Sequence, residues 1–169
     1  MRIYIFSFLA LFFLGCSTNH PTLKTVEKVD INSYLGTWYE IARYEHFFQK
    51  GCSDVNATYS LRENGEIDVL NQCMKGDRLA QAKGVAYATD ETSSKLKVSF
   101  FRPFYGDYWI LMLGKNYEYA LIGEPSREYL WILSRTPTMD KKLQETILNK
   151  LPEFGYSSDK LLWTPIKGK

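Results

Sequence analysis

The stretch YLGTWYEIARYEHFFQKGC spans residues Tyr34 to Cys52 and combines a glycine, a tryptophan, a carboxylate, several aromatic residues and a terminal cysteine. Its central part, TWYEIARYE, is predicted to be the first strand of a sheet. After this stretch, short apolar runs alternate with turn signals to the end of the chain. The chain has 169 residues, which is enough for one domain with a sizeable core.

Seven further segments show the period-two alternation of apolar and polar residues that is typical of strands. They are VNATYSL (55–61), IDVLNQC (67–73), residues 79–89, KLKVSFF (95–101), DYWILML (107–113), YEYALIG (117–123) and YLWILSR (129–135). Each is joined to the next by a short turn, as in RENGE around Gly65. Eight sequential strands with short connections predict an all-β, eight-stranded antiparallel up-and-down barrel. A ninth short strand, KLLWTP (160–165), is expected beside the first.

One α-helix is predicted near the C-terminus. Between residues 138 and 151, apolar side chains recur at helical spacing, at Met139, Leu143, Ile147, Leu148 and Leu151. Thr138 is the expected N-cap, and Pro152 and Gly155 end the pattern. The apolar stripe predicts that this helix packs on the outside of the barrel.

The first fifteen residues have the composition of a secretory signal. Arg2 supplies a positive charge, and residues 3–14, IYIFSFLALFFL, form an almost unbroken apolar run. The run is shorter than the about 20 apolar residues that a membrane span needs. The motif LGCS at residues 14–17 follows and resembles the bacterial lipobox, in which the cysteine is acylated and becomes the mature N-terminus.

The lipobox resemblance divides the chain at Cys16. It implies a lipoprotein signal peptide over residues 1–15, an acylated polar tether over residues 16–29 and a folded domain over residues 30–169. Phe13 departs from the aliphatic residue that is usual at its position, so an ordinary signal peptide with Cys16 as a stray thiol is the alternative. Ser17, where a retained lipoprotein has Asp, favours the outer membrane, with the domain in the periplasm.

Export changes how the other cysteines are interpreted. In an oxidising compartment, Cys52 and Cys73 are an even pair beside turn residues and are expected to form a disulfide, with two buried free thiols as the alternative. His20 and His46 have no partner at a metal-ligand interval, so no metal or cofactor is predicted. The 21 basic and 19 acidic residues form no basic block, so nucleic acid is not an expected partner.

Three motifs complete the pattern: GTWY (36–39) opens the first strand, YEYA (117–120) the seventh, and SRTP (134–137) ends the eighth. Together, in this order, they resemble the lipocalin family, closest to its bacterial outer-membrane lipoproteins. The resemblance implies that Trp38 closes one end of the barrel, that Arg135 crosses its indole and that Gly36 allows close backbone approach. These three residues are therefore expected to be structural. Glu118 departs from the Asp that many lipocalins have there.

Parity counted from Arg135 predicts which side chains face the barrel interior. The expected ligand cavity is lined by Ala57, Tyr59, Val69, Asn71, Val98, Phe100, Tyr108, Ile110, Met112, Ala120, Ile122 and Trp131. Small residues at Ala82, Gly84 and Ala86 favour empty volume over a filled core. This apolar and aromatic lining suits a fatty acid or a lysophospholipid, although simple core packing predicts the same pattern. A slip of one residue would invert any strand.

The sequence therefore favours a non-enzymatic lipid carrier that stores, scavenges or moves lipids at the outer membrane, with Phe47 and Phe48 at the cavity mouth. One alternative is a lipocalin-fold enzyme, which would need a reactive cysteine, and His46 is the one candidate base. Another is a ligand-free structural envelope lipoprotein. Glu40 shares the face of Trp38, so a local bulge or a buried partner such as a tyrosine hydroxyl is expected. Whether the chain forms a homodimer is left open.

Overall fold

Nine strands form one antiparallel sheet in the computed structural model, which describes residues 22–167. The strands are β1 (Gly36–Tyr44), β2 (Cys52–Leu61), β3 (Ile67–Lys75), β4 (Arg78–Ala88), β5 (Lys95–Phe101), β6 (Phe104–Leu113), β7 (Tyr119–Gly123), β8 (Leu130–Ser134) and β9 (Leu161–Trp163). Each of β2 to β7 pairs with the strand that follows it, and β1 pairs with both β8 and β2, so eight strands close into a barrel. The predicted up-and-down barrel is confirmed.

Strand β1 pairs with two different strands along the same edge, first with β2 and then with β9. Its lower part, Gly36 to Tyr39, pairs with β2, whereas Ala42 to Tyr44 pair with β9. A register shift between Glu40 and Ala42 against β8 marks a bulge at the point of change. Above this point β2 has separated from β1, and a 3₁₀ helix over Phe47–Gln49 lies in the connection.

The barrel has a closed end and an open end. The closed end holds the start of β1 and the β2–β3, β4–β5 and β6–β7 turns, because Gly36 pairs with Tyr59 near the end of β2. The open end holds the β1–β2, β3–β4, β5–β6 and β7–β8 connections.

Residues 22–167 contain two α-helices, α1 (Ile31–Tyr34) and α2 (Lys141–Lys150). The predicted C-terminal helix is confirmed, but Thr138 is not its N-cap. Asp140 caps it, because its carboxylate accepts hydrogen bonds from the backbone N–H groups of Lys142 at 2.9 Å and Leu143 at 3.2 Å. A carboxylate at this position also favours the positive end of the helix dipole.

Two apolar clusters follow from the strand alternation. Outside the barrel, α2 packs Ile147 against β1, β7 and β8 side chains such as Leu121 and Ile132. Inside, at the closed end, Trp38 packs with residues from most strands, including Ile110 and Ile122. Neighbours in sequence such as Leu121 and Ile122 therefore belong to opposite clusters, as the period-two pattern requires.

The segment before α1 packs against the barrel instead of forming a free tether. Leu23 and Val29 are buried, and the backbone N–H groups of Val26 and Val29 donate to Ile110 O at 3.0 Å and Thr92 O at 2.8 Å. The tether prediction is therefore wrong for residues 22–29, because Leu23 packs in the outer cluster beside α2 and Val29 packs in the closed-end cluster around Trp38. Cys16 and the signal region lie outside the described residues. Within residues 22–167, no helix is long and apolar enough to cross a membrane.

Candidate functional site

The closed end is sealed by a tryptophan and an arginine. The Trp38 side chain is fully buried, and its indole N–H donates to Tyr34 O at 2.8 Å. The guanidinium carbon of Arg135 lies 3.9 Å from the indole centroid, and the group donates to backbone carbonyls including Ser33 O at 2.8 Å and Thr37 O at 3.0 Å. Desolvation of this group lowers the pKa of Arg135. This is the arrangement that the lipocalin resemblance implied.

Gly36 adopts φ +90°, a conformation that L side chains rarely take, and a Cβ there would lie 3.5 Å from the Arg135 guanidinium. Glycine thus lets the chain turn into β1 directly under the arginine.

Above this seal lies a cavity of about 500 Å³ that is open at the other end. Eight of the twelve side chains predicted to line it do so: Ala57, Tyr59, Val69, Asn71, Val98, Phe100, Tyr108 and Trp131. The prediction missed a group of residues in or next to the open-end connections: Phe104, Tyr105, Asp107, Gln49, Glu124 and Tyr129. Gln49, Glu124 and Tyr129 lie in connections, which carry no period. Phe104, Tyr105 and Asp107 lie in the first part of β6, where the lining residues are consecutive instead of alternating, so parity does not identify them. Phe48, expected at the mouth, also lines the cavity.

The other four predicted residues do not line the cavity. Ile110, Ala120 and Ile122 face inward but are fully buried around Trp38, below the empty volume. Met112 is placed on the wrong face by the prediction. A register shift between Ile110 and Met112 puts both Leu111 and Met112 outside the barrel, toward α2.

A second lobe of about 430 Å³ adjoins the first and shares Asn71, Phe100 and Phe48 with it. Its lining includes Cys52 and Cys73, which form the predicted disulfide, with Cα atoms 5.5 Å apart. The pairing is confirmed.

The three small residues of β4 have different roles. Ala82 lines the second lobe, whereas Ala86 is fully buried in the closed-end cluster. The space beside Gly84 is filled, because a Cβ there would lie 2.7 Å from Ser99 O and 2.9 Å from the Phe100 ring. Small size therefore indicates empty volume at Ala82 alone among these three.

Three phenol hydroxyls meet at the base of the cavity. The Tyr108 hydroxyl lies 2.8 Å from that of Tyr34 and accepts a hydrogen bond from that of Tyr59 at 3.1 Å. Burial raises the pKa of Tyr59 to about 12 and raises the pKa values of Tyr34 and Tyr108 well above 10.0. All three stay neutral at neutral pH, so the cavity base offers hydroxyl groups and no charge.

The sequence predicted either a local bulge or a buried partner for Glu40, and the structure has both. It precedes the β1 bulge, and its buried carboxylate accepts from Arg43 at 2.6 Å, Thr164 at 2.5 Å and the Gln49 amide at 2.8 Å. The partners are a guanidinium, a hydroxyl and an amide instead of a tyrosine. Gln49 in turn accepts from the Trp131 indole N–H at 3.1 Å, which ties the β1–β2 connection to the barrel.

His46 lies buried at the open end, with its ring stacked on Phe48 at a centroid distance of 3.9 Å. Burial, and secondly the charge of Arg43, lower the pKa of His46 to about 4, so the ring is neutral at neutral pH. Neither ring nitrogen has a hydrogen-bond partner among the described residues.

The charged groups of the main cavity are already engaged. Its acidic residues are Glu40, Asp107 and Glu124. Asp107 pairs with Lys97 at 2.9 Å, and Glu124 accepts from backbone N–H groups such as that of Ser126 at 2.7 Å. No lysine, arginine or histidine is among its described lining residues. Within residues 22–167, no cluster of His, Cys, Asp and Glu has the arrangement of a metal site. The depth of the cavity therefore suits the uncharged part of a ligand.

A lipocalin-like domain family matches residues 29–166, which is most of the chain. This chain belongs to the lipocalin family. The lipocalin is 43% identical to the outer membrane lipoprotein Blc of Citrobacter freundii over 164 residues, covering 94% of this chain and 93% of that protein. It is 40% identical to temperature-induced lipocalin-1 of Arabidopsis thaliana, over 88% of this chain and 85% of the relative.

The fold of this lipocalin is also found in insecticyanin from the tobacco hornworm Manduca sexta. The TM-score is 0.72 at 18% identity, over 88% of this chain and 86% of the other. At this identity the match shows the shared barrel and helix alone.

Proposed function

We propose that this lipocalin binds a fatty acid or a lysophospholipid in its barrel and stores, scavenges or transports it at the bacterial outer membrane. The observation that carries the proposal is the open cavity of about 500 Å³, lined mainly by aromatic and aliphatic side chains. Its volume lies within the about 300–1,000 Å³ range of small-molecule sites. A filled structural barrel has no such space.

The chemistry of the lining supports an acyl chain in the depth of the cavity. The tyrosine hydroxyls there are neutral, and the carboxylates already have partners. Asn71 also lines the cavity, and its buried Oδ1 has no hydrogen-bond partner among the described residues. A hydrocarbon chain needs no hydrogen-bond partner and gains from leaving water. A charged head group would be desolvated in the depth, so it stays at the open end, beside Trp131 and Tyr129.

The names of the relatives support the location. Two close relatives, from Citrobacter freundii and Escherichia coli, are named outer membrane lipoproteins. The LGCS motif of this chain resembles a lipobox, which supports acylation at Cys16. We therefore include acylation of Cys16, and a domain on the periplasmic side of the outer membrane, in the proposal. A role in envelope maintenance or stress follows from that place.

A binding role is preferred to catalysis for a specific reason. The enzyme alternative needs a thiolate, and the two cysteines of the barrel are joined to each other. His46, the candidate base, is stacked on Phe48 instead of pointing at a nucleophile.

A cavity-filling substitution tests the proposal. Ala57 lines the cavity between Trp38 and Asn71 on the neighbouring strands, so Ala57→Phe places a ring in the empty volume. Ser60→Phe is the matched control, because Ser60 is exposed on the same strand. We expect wild type and Ser60→Phe to bind lysophospholipid and fatty acid, and Ala57→Phe to lose most of its affinity. Binding is measured by the change in tryptophan fluorescence during lipid titration. Equal affinity in all three proteins would contradict ligand binding in the barrel.

A further inference from the structure

The side chain of Asn71 lies where the main cavity meets the second lobe, and it lines both of them. It forms no hydrogen bond with a described residue, and its buried Oδ1 atom is left without a donor. A buried amide oxygen without a partner lowers stability, and such exceptions are expected at functional sites. Because Oδ1 is covered, the NH2 group is the end of the amide that a ligand in the cavity can reach.

The second lobe differs in charge from the main cavity. Its described lining contains one cation, Lys75, and no carboxylate, whereas the main cavity is lined by three carboxylates and no cation. Lys75 is exposed and forms no ion pair with a described residue, and Arg78 adds a second positive charge across the β3–β4 hairpin. Asp77, in the turn between them, pairs with Lys167 at 3.6 Å. An anionic group is therefore favoured in the second lobe, where it keeps contact with water.

The hydrogen-bonding group and the cation lie on the same face of one strand. Asn71, Cys73 and Lys75 alternate along β3 in this order toward the open end, and all three line the second lobe. Cys73 is bonded to Cys52, so the wall between the two polar groups is apolar. The Cα atoms of Asn71 and Lys75 are about 13 Å apart along the strand, and the flexible lysine stem can shorten the gap between the amide and the ammonium group. A single-chain phospholipid has the same order of groups, with a carbonyl oxygen next to the chain and an anion beyond it.

We propose that Asn71 and Lys75 form the subsite for the polar end of the bound lipid. The Asn71 NH2 group donates a hydrogen bond to the carbonyl oxygen at the end of the acyl chain, and the anionic group beyond it lies in the second lobe near Lys75. The chain itself extends into the main cavity, and the rest of a larger head group continues across the open end toward Trp131 and Tyr129. This inference rests on the proposed function and adds the residues that fix the direction and depth of the ligand.

Two lysophospholipids that differ in one carbonyl group test the role of Asn71. The 1-acyl and 1-O-alkyl forms of lysophosphatidylethanolamine, with chains of equal length, are titrated into protein purified from membranes and freed of lipid, and tryptophan fluorescence reports binding. We expect wild type to bind the acyl form about tenfold more tightly, because the alkyl form has no carbonyl oxygen to accept the hydrogen bond. Asn71→Leu should bind the two forms equally. General damage to the cavity weakens both forms and keeps their ratio, so it does not mimic this result.

Removing the anion tests the role of Lys75. Monoacylglycerol keeps the carbonyl group and the chain but has no phosphate. We expect Lys75→Gln to weaken binding of lysophosphatidylethanolamine about fivefold at low salt and to leave binding of monoacylglycerol unchanged. Lys83→Gln is the matched control, because Lys83 is exposed on β4 and lines neither the main cavity nor the second lobe. It should change the affinity for neither lipid.

Two outcomes would overturn the subsite while lipid binding itself stands. One is the same ratio of acyl to alkyl affinity in wild type and Asn71→Leu, which would remove Asn71 from the subsite. The other is a Lys75→Gln variant that loses equal affinity for the charged and the uncharged lipid, or loses none, which would remove Lys75. Failure of the proposed function gives a different result, because wild type would then bind none of the three lipids and both proposals would fall.

Discussion

Trp38 and Trp131 both lie on barrel strands and line the same cavity, but their surroundings differ. Trp38 is fully buried, is crossed by Arg135 and packs with residues from most strands. Trp131 is half-buried beside empty volume, and its indole donates to Gln49 of a connection. The comparison indicates that the closed end is fully packed and stabilises the barrel. The open end is incompletely packed, so a ligand can enter there.

The largest expected contrast comes from deleting these two side chains. Trp38→Ala should lower the free energy of unfolding by about 3–5 kcal/mol, because it creates a cavity in a packed cluster and removes the ring under Arg135. Trp131→Ala should cost clearly less stability and weaken lipid binding more. Urea unfolding and lipid titration of both variants measure this. If Trp131→Ala were the more destabilising, the assignment of the two ends would be wrong.

The open end is less completely packed than the closed end, but the disulfide is expected to stabilise it. Replacing Cys52 and Cys73 together with Ala should lower the free energy of unfolding by about 2–4 kcal/mol, because the bond restricts a loop in the unfolded chain. The bond joins residues 21 apart at the start of β2 and the end of β3. Urea unfolding of the oxidised protein and the double variant provides the measurement. An unchanged midpoint would show that packing alone holds this part of the open end.

Substitutions of a partly buried and an exposed arginine test the structural role of Arg135. Arg135→Lys should lower the free energy of unfolding by about 1–3 kcal/mol, since lysine keeps the charge but cannot reach all the carbonyls that the guanidinium now serves. Arg102→Lys is the control, because its exposed pair with Glu66 at 3.0 Å should contribute at most about 1 kcal/mol. Thermal or urea unfolding distinguishes them, and equal losses would contradict a structural role specific to Arg135.

The smallest expected effect is a pH dependence at the open end. The pKa of His46 is lowered in the fold from 6.5 to about 4, so the unfolded chain binds the proton more tightly. Its contribution to stability is therefore complete above pH 6.5 and is lost as the pH falls toward 4. His46→Phe keeps the stack on Phe48 and removes this dependence. Unfolding free energies of both proteins across the window give the difference, and parallel curves would contradict a neutral, buried His46.

The sequence predicted those parts of the molecule that repeat or carry a motif. Period-two alternation located the strands, and the motifs around Trp38 and Arg135 located the closed end, because buried positions limit residue choice. Parity failed at Met112, where a bulge adds one residue and reverses the faces, and bulges have no reliable signature in this stretch.

Contacts between segments that are far apart in the sequence could not be predicted either. Leu23 and Val29 are isolated apolar residues in a polar stretch, so no local pattern shows that they pack on the barrel. Gln49 joins Glu40 to Trp131 from a connection without period, and only the assembled barrel brings the three together.

Native mass spectrometry of protein purified from membranes shows whether the incompletely packed open barrel holds a lipid. We expect an additional mass on the folded wild-type chain, which organic extraction identifies as a fatty acid or lysophospholipid. The same mass should be absent from Ala57→Phe and present on Ser60→Phe. Wild-type protein that carries no lipid, and takes none up when lysophospholipid or fatty acid is added, would contradict the account.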